Sequence, residues 1–179
     1  NRHSNEPTPL VLDGDRLYLD RYWRYQERLR LQLLNRAVSP SFSINIESLR
    51  KGLDQHFPPD QSAFARQRIA AMMVVLKPLT LITGGPGTGK TTTVAAILAL
   101  LADQATNTHS SKPLRIGLAA PTGKAADRVA ESIQEGLQRL TLSNAARSLL
   151  SQLKSQTLHQ LLGWQPQTPT RFRHHADHP

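Results

Sequence analysis

Eight residues near the middle of the sequence have the types and the spacing needed to bind a chain of phosphates. Residues 84–91 read GGPGTGKT and fit the pattern G-x-x-x-x-G-K-[ST] at every required position. Glycines let the backbone curl around an anion with its N–H groups inward, and the N-terminus of a following helix adds positive charge. In this pattern Lys90 reaches the β- and γ-phosphates while the Thr91 hydroxyl holds Mg²⁺. The sequence therefore predicts a site for a nucleoside triphosphate.

The residues on either side of the loop are of the kinds that such a site requires. An apolar, β-branched run over 79–83 predicts a strand, and an Ala/Leu-rich run over 92–101 predicts a helix. A plain Gly/Pro turn would explain the glycines, but not a lysine at the unfavourable end of the helix dipole. The predicted catalytic residues are Lys90 and Thr91. The predicted nucleotide-binding residues are Gln67, Gly84, Gly85, Pro86, Gly87, Thr88, Gly89, Lys90, Thr91 and Thr92.

The start of the sequence predicts a small appendage. Apolar runs on either side of Asp13-Gly14-Asp15 predict a β-hairpin. Asp20 can cap a helix over about 21–36. In that helix an apolar face at helical spacing is formed by Tyr22, Tyr25, Leu29 and Leu33. We expect the hairpin and helix to act as a connector that packs against a neighbour.

A domain boundary is predicted at the paired prolines, Pro58 and Pro59. Residues 1–58 are interpreted as a linker at the end of an N-terminal domain, and residues 59–179 as the first part of a nucleotide-binding motor domain. A helix over about 61–76 is apolar nearly all round in its second half, which predicts that it is buried against a sheet.

The remainder of the sequence predicts further alternation of strands and helices. A strand is expected over 114–120 and a helix from Lys124, with an apolar stripe on one side. A further helix fits 144–153 and a short one fits 157–162. The predicted fold class is α/β, of the P-loop NTPase kind.

The composition favours a polyanionic partner. The 179 residues carry a net charge of +9 and a pI near 10.6, for which nucleic acid is the usual partner, although a solvated basic surface is the alternative. There is no cysteine, which excludes a disulfide framework and a thiolate metal site. No membrane span or signal peptide is visible. The sequence opens at Asn1 without a methionine, so we expect a piece of a longer protein.

Three further stretches narrow the class of P-loop protein. Gln67 lies upstream of the loop, and its side-chain amide can match the N6/N7 edge of adenine. Residues 118–128, LAAPTGKAADR, end a strand and begin a helix, offering N–H groups, a hydroxyl and cations to phosphates. Residues 157–163, TLHQLLG, contain a threonine and a histidine that could reach a nucleic-acid backbone. Ordinary turns and a capping threonine would explain the last two stretches equally well by themselves.

In this order and spacing, these stretches resemble the RecD family, the α subunit of exodeoxyribonuclease V, a superfamily 1 DNA helicase. The resemblance is specific in GGPGTGKTTTV, LAAPTGKAADR and TLHQLLG, and extends to LVLDGDRLYLDRYWRYQERL near the N-terminus. It implies a RecA-like motor domain, incomplete here, in an ATP- and Mg²⁺-dependent 5′→3′ translocase on single-stranded DNA. The implied setting is the bacterial cytoplasm, in a heterotrimer with RecB and RecC that processes duplex ends in DNA repair and recombination.

The resemblance also assigns roles to residues. Gln67 would read adenine, and residues 84–91 would hold the triphosphate and Mg²⁺. The implied DNA-binding residues are Pro121, Thr122, Gly123, Lys124, Arg128, Thr157 and His159. The family's acidic Asp-Glu motif and catalytic arginines are not found up to Pro179. Because hydrolysis needs both, we expect this chain alone to bind nucleotide weakly and not to turn it over.

Two other classes stay open on the residues alone. One is another P-loop enzyme, such as an AAA-type ATPase or a small-molecule kinase. The other is a non-catalytic interaction module that keeps the fold for docking, against which the intact Lys90-Thr91 pair argues. The histidines at 174, 175 and 178 with Asp177 could suggest a metal site, but without regular structure to fix their spacing a solvated loop is favoured.

Overall fold

The computed structural model describes residues 9–38, 44–59, 64–107, 114–167 and 172–175. The chain forms two compact units. The first unit is Asn1–Ser41 with Lys77–Leu79, and the second is Phe42–Leu76 with Thr80–Pro179. None of the helices in the described ranges combines the length and the apolar character that a membrane crossing requires.

The first unit contains the predicted hairpin and helix. Strands β1 (Leu10–Asp13) and β2 (Arg16–Leu19) pair antiparallel, with Asp13 opposite Arg16. Gly14 opens the two-residue turn between them with φ of +63°, a conformation that favours glycine. Helix α1 (Asp20–Val38) follows directly. The predicted hairpin is therefore confirmed.

Helix α1 has the predicted apolar face but does not bury it. Asp20 is its first residue, and its carboxylate accepts a hydrogen bond from Arg24 Nε at 2.8 Å. No residue of the helix is buried. The side chains of the predicted face are 36–59% exposed: Tyr22, Tyr25, Leu29 and Leu33. The face is thus apolar surface.

The second unit begins with three helices that share one core. They are α2 (Ile46–His56), α3 (Ala65–Leu76) and α4 (Lys90–Asn107). Helix α4 is the centre, with an unbroken buried run over 95–100. The shared core consists of Leu49, Leu53, Phe57, Ala71, Val75, Ala96, Ile97 and Leu100.

Helix α2 was not predicted, and it belongs to the second compact unit. Asn45 caps it by accepting a hydrogen bond from Ser48 N at 2.9 Å. Arg68 of α3 then ties the two helices together, donating to the Phe57 carbonyl at 2.8 Å and to the Asp54 carboxylate at 2.6 Å. The division therefore falls at Ser41, whereas the predicted boundary lies after residue 58. The assignment of the two parts to linker and motor domain stays a prediction.

Helix α3 is buried on one side only, so the prediction of all-round burial was wrong. Ala71 and Val75 are buried, whereas Ile69 is 57% exposed and Met72 and Met73 are nearly 40% exposed. The helix packs against α2 and α4. Within the described ranges there is no broad sheet for its other side to cover.

In the rest of the second unit, two helices pack against the opposite side of α4, and two short strands pack on the first of these helices. Strand β3 (Leu118–Ala120) leads into α5 (Gly123–Gln138), followed by α6 (Asn144–Leu150), β4 (Ser155–Thr157) and α7 (Leu158–Leu161). Strands β3 and β4 pair in parallel, with Ala120 opposite Thr157. A second core joins α4 to α5 and α6: Ala95, Leu98, Ala99, Ala102, Ile133, Leu137, Ala146 and Leu150.

Two strand predictions were partly wrong. Residues 79–83 form no strand, and β3 begins at Leu118 instead of residue 114. A strand is defined by its hydrogen-bonded neighbours, and the sheets in the described ranges contain only two strands each. Residues 79–83 therefore have the apolar, β-branched composition of a strand, but among the residues described they lack the paired neighbour that would make them one.

Candidate nucleotide and nucleic-acid site

The glycine loop is positioned by helix α4, which was predicted over 92–101 and begins two residues earlier, at Lys90. Gly87 and Gly89 have φ angles of +73° and +76°, in the left-handed region that disfavours side chains. Gly84 leaves room for the Thr88 side chain, since a Cβ there would lie 2.8 Å from Thr88 Oγ1 and the hydroxyl would have to move. The sequence pattern thus matches a loop whose curvature depends on these glycines.

Lys90 folds back into the curve of the loop. Its Nζ donates to the Gly84 carbonyl at 2.7 Å and to the Gly85 carbonyl at 2.5 Å. The Thr88 hydroxyl donates to the same Gly85 oxygen at 3.0 Å. The ammonium therefore lies inside the loop, and an anion bound there would compete with the loop carbonyls for its N–H donors.

Gln67 is brought to the loop by helix α3. Its Nε2 lies 3.4 Å from the Thr88 carbonyl oxygen. Its Oε1 is buried and has no hydrogen-bond partner among the described residues. A Cβ at Gly89 would lie 2.9 Å from Gln67 Nε2, so this glycine also leaves room for the amide. A buried acceptor without a partner is costly, and it fits a group that completes its bonding on a ligand.

Thr93 was not among the predicted residues, although it fixes the end of the loop. Its side chain is 3% exposed, and its hydroxyl donates to the Gly89 carbonyl at 2.9 Å. Thr91 and Thr92 are exposed beside it. The run of three threonines was the available signal, because a hydroxyl in the first helical turn can donate to the carbonyl four residues earlier.

The residues predicted to bind DNA come together at one edge of the β3–β4 pair. Because Ala120 lies opposite Thr157 in a parallel register, the segments starting at Pro121 and at Leu158 leave the same edge. Pro121, Lys124 and Arg128 are exposed, as is His159. The structure thus joins two stretches that are about thirty residues apart in sequence.

Both threonines at this edge already act as helix caps. The Thr122 hydroxyl accepts from Ala125 N at 3.3 Å at the start of α5. The Thr157 hydroxyl accepts from Gln160 N at 3.2 Å, and Gln160 Oε1 in turn accepts from Thr157 N at 2.8 Å. This reciprocal pair is a capping box. Their roles on DNA stay predictions.

The histidines near the C-terminal end do not form a metal site in the part of the chain that the structure describes. No group of three or more histidines or carboxylates there is arranged to hold an ion. Asp177 and His178 lie outside the described residues.

A glycine loop closed around a lysine at the start of a helix defines the class of P-loop nucleotide-binding domains. The chain belongs to the AAA domain family, whose sequence model matches residues 67–179. The predicted P-loop NTPase class is therefore confirmed, while its RecA-like detail is not.

Curated proteins give closer relatives. The chain is 45% identical over 171 residues to the RecBCD enzyme subunit RecD of Mycolicibacterium smegmatis, covering 95% of this chain and 29% of the relative. The protein of the same name in Haemophilus influenzae is 33% identical over 165 residues, covering 89% and 25%. The ATP-dependent RecD2 DNA helicase of Deinococcus radiodurans is 37% identical over 125 residues, covering 70% and 12%. These relatives confirm the predicted resemblance. The chain spans less than a third of the length of each.

Proposed function

We propose that the full-length protein is an ATP-dependent 5′→3′ DNA helicase subunit that acts with RecB and RecC on duplex ends in repair and recombination. The observation that carries this proposal is the glycine loop closed around Lys90 in a chain whose relatives are named RecD and RecD2 DNA helicase. Residues 59–179 would form the first part of its RecA-like motor domain and residues 1–58 the linker.

The nucleotide site would use residues that the structure brings together. Residues 84–89 would wrap the phosphates, Lys90 would neutralise their charge, and Thr91 would hold Mg²⁺. Gln67 would satisfy its buried Oε1 on the exocyclic amine of adenine and could donate through Nε2. ATP, when bound, supplies the free energy of hydrolysis for movement along the strand.

The DNA track would lie at the edge where β3 and β4 end. Lys124 and Arg128 are exposed on the first turns of α5 and would contact phosphates. Gly123 has no atom within 4 Å of its Cβ position, so a backbone of DNA could approach closely. His159 would lie beside the same track. Phosphate contacts of this kind hold a strand without reading its sequence.

ATP hydrolysis by the full-length protein, with and without single-stranded DNA, tests the proposal. We expect strong stimulation by DNA, and a loss of at least about a hundredfold in rate for Lys90→Ala, because the transferring phosphoryl loses its main cation. Lys77→Ala is the matched control, since Lys77 is an exposed lysine outside the loop. It should keep the wild-type rate.

Two outcomes would contradict the proposal in different ways. A rate indifferent to DNA would return the protein to the wider class of P-loop ATPases and kinases. Unchanged cellular function in the Lys90→Ala variant would instead favour a module that keeps the fold for docking.

A further inference from the structure

Three aromatic residues lie in the segment that follows β4. Trp164 lies opposite Phe172 in an antiparallel bridge, and the His159 ring centre is 5.9 Å from that of Phe172. Side chains directly opposite each other on antiparallel chains share a face. We call His159, Trp164 and Phe172 the aromatic cluster. Trp164 is its most accessible large ring, at 43% exposure.

Backbone hydrogen bonds fix the position of this cluster. Trp164 N donates to the His159 carbonyl at 2.9 Å, and Arg173 N donates to the Gly163 carbonyl at 2.9 Å. Gly163 has φ of +67°, and a Cβ there would lie 2.8 Å from Arg173 Cβ. The chain therefore turns sharply at a position that favours glycine. Hydrogen bonds on both sides of this turn fix the backbone that carries the Trp164 side chain.

The cluster lies on the segment that leaves the edge of the proposed DNA track. Its first member, His159, lies in α7, two residues after Thr157, the register partner of Ala120. A Cβ added at Gly117 would lie 3.5 Å from Leu161 Cδ1, so α7 packs against the residues that lead into β3. The segment is thus attached to the sheet that carries the track.

The positive charge of the sequence around the aromatic cluster favours a negatively charged partner. Residues 136–176 contain five Lys or Arg residues and no Asp or Glu. An accessible aromatic ring in a stretch without any carboxylate suits a ligand that combines flat rings with negative charge. Unstacked bases of a single strand have both properties, because each base presents a π face and each link carries a phosphate.

We propose that Trp164 is a stacking platform for a base of single-stranded DNA. The proposal rests on the proposed function, since it extends the track from Lys124 and Arg128 to a ring that holds a base. Stacking does not depend on which base is present, so the platform would hold the strand without reading sequence. Arg173 would add a charge for the neighbouring phosphate.

Binding of fluorescein-labelled oligothymidylate to the full-length protein, followed by anisotropy and by tryptophan fluorescence, tests the platform. Trp164→Ala should weaken binding by about fivefold to a hundredfold, the range found for loss of one base–aromatic stack. Trp164→Phe should bind within about threefold of wild type, because it keeps a ring. DNA binding should quench the fluorescence of Trp164, and this part of the quenching should disappear in Trp164→Phe. An abasic oligomer of equal length should not quench it.

Leu162→Ala is the matched control, since Leu162 is two residues away and 38% exposed. It should bind as wild type. The platform would be overturned if Trp164→Ala bound DNA with unchanged affinity and if wild type and Trp164→Phe showed the same quenching. The helicase proposal would still stand in that case, provided that DNA stimulated hydrolysis. Normal DNA binding with failed assembly in Trp164→Ala would assign the ring to a protein partner and also overturn it. A protein that shows neither DNA binding nor DNA-stimulated hydrolysis would contradict the proposed function itself.

Discussion

Gly136 of α5 packs against Ala95 of α4 so closely that a Cβ at position 136 would lie 2.8 Å from the Ala95 Cβ. The same Cβ would lie 4.0 Å from the Thr91 carbonyl oxygen. Since α4 begins with Lys90 and Thr91, this contact joins the helix of the proposed DNA residues to the first turns of the helix of the proposed nucleotide residues. The close approach of α4 and α5 therefore depends on the lack of a side chain at Gly136.

Gly136→Ala should therefore lower the free energy of unfolding by about 1–3 kcal/mol, the usual cost of overpacking a core. The added methyl group meets a methyl group on a buried helix, which has no flexible end that can move aside. Urea denaturation measures the effect. Gly123→Ala, at the open start of the same helix, is the control and should change stability by less than about 0.5 kcal/mol. Equal effects of the two substitutions would show that α4 and α5 adjust freely.

Gln67→Ala should raise the KM for ATP about tenfold and leave the KM for GTP nearly unchanged. The amide offers an acceptor and a donor that match adenine, and a lost hydrogen bond of this kind is worth about 1.5 kcal/mol. Steady-state hydrolysis with the two nucleotides measures the ratio. Because Gln67 also touches Thr88 and the space above Gly89, an equal loss for both nucleotides would mean that it supports the loop and does not read the base.

Gln104→Ala should lower the free energy of unfolding by about 1–3 kcal/mol, because partly buried backbone groups lose their partners. Gln104 is 8% exposed. Its Oε1 accepts from Asn45 N at 2.9 Å and its Nε2 donates to the Asn45 carbonyl at 3.0 Å, which fastens the start of α2 to α4. Gln138→Ala, on the exposed end of α5, provides the comparison in the same denaturation experiment. No difference between the two variants would show that water replaces both bonds.

Lowering the pH below about 6.5 should destabilise the second unit through His56. Burial lowers the pKa of His56 below its ordinary value, and the nearby Asp103 carboxylate offsets this only in part. The unfolded chain therefore binds a proton before the folded chain does. This contribution to stability is complete above the unfolded pKa and is lost as the pH falls toward the folded pKa.

Unfolding free energies measured between about pH 7.5 and 5 check this prediction. His56→Leu should flatten the dependence on pH over that range, because it removes the titrating group. The substitution breaks no hydrogen bond of the buried Nε2, which has no partner among the described residues. The matched comparison is His175→Leu, an exposed histidine. A His56→Leu variant with the wild-type slope would rule out this group as the cause.

The parts of the site that depend on local sequence were predictable. The turn of the glycine loop and the start of α4 follow from residues 84–91, since both the φ angles and the cation belong to neighbours in sequence. Helix α2 was missed although its sequence carries a helical signal, since four apolar residues recur at helical spacing: Ile46, Leu49, Leu53 and Phe57. The cap at Asn45 was the remaining signal.

Features that depend on distant partners were not predictable in the same way. Strand β4 reads Ser-Gln-Thr, with no apolar alternation, and is a strand because it pairs with β3. The reverse holds at 79–83, where the composition is that of a strand but no described residue pairs with it. The hydroxyls of Thr122 and Thr157 are committed to helix caps, a use that the motifs alone left open.

The two ends of the glycine loop are held in different ways. On one side, residues 80–83 have no strand partner among the described residues, and Leu81 is 81% exposed. On the other side, α4 is fully packed over 95–100 between two cores. Residues 80–83 are nonetheless fixed, because Ile82 packs against the first core and the Thr80 hydroxyl donates to the Met73 carbonyl at 3.2 Å. A shift of Lys90 would be carried along α4 to the helix packed beside it, α5, which starts at the edge where β3 ends.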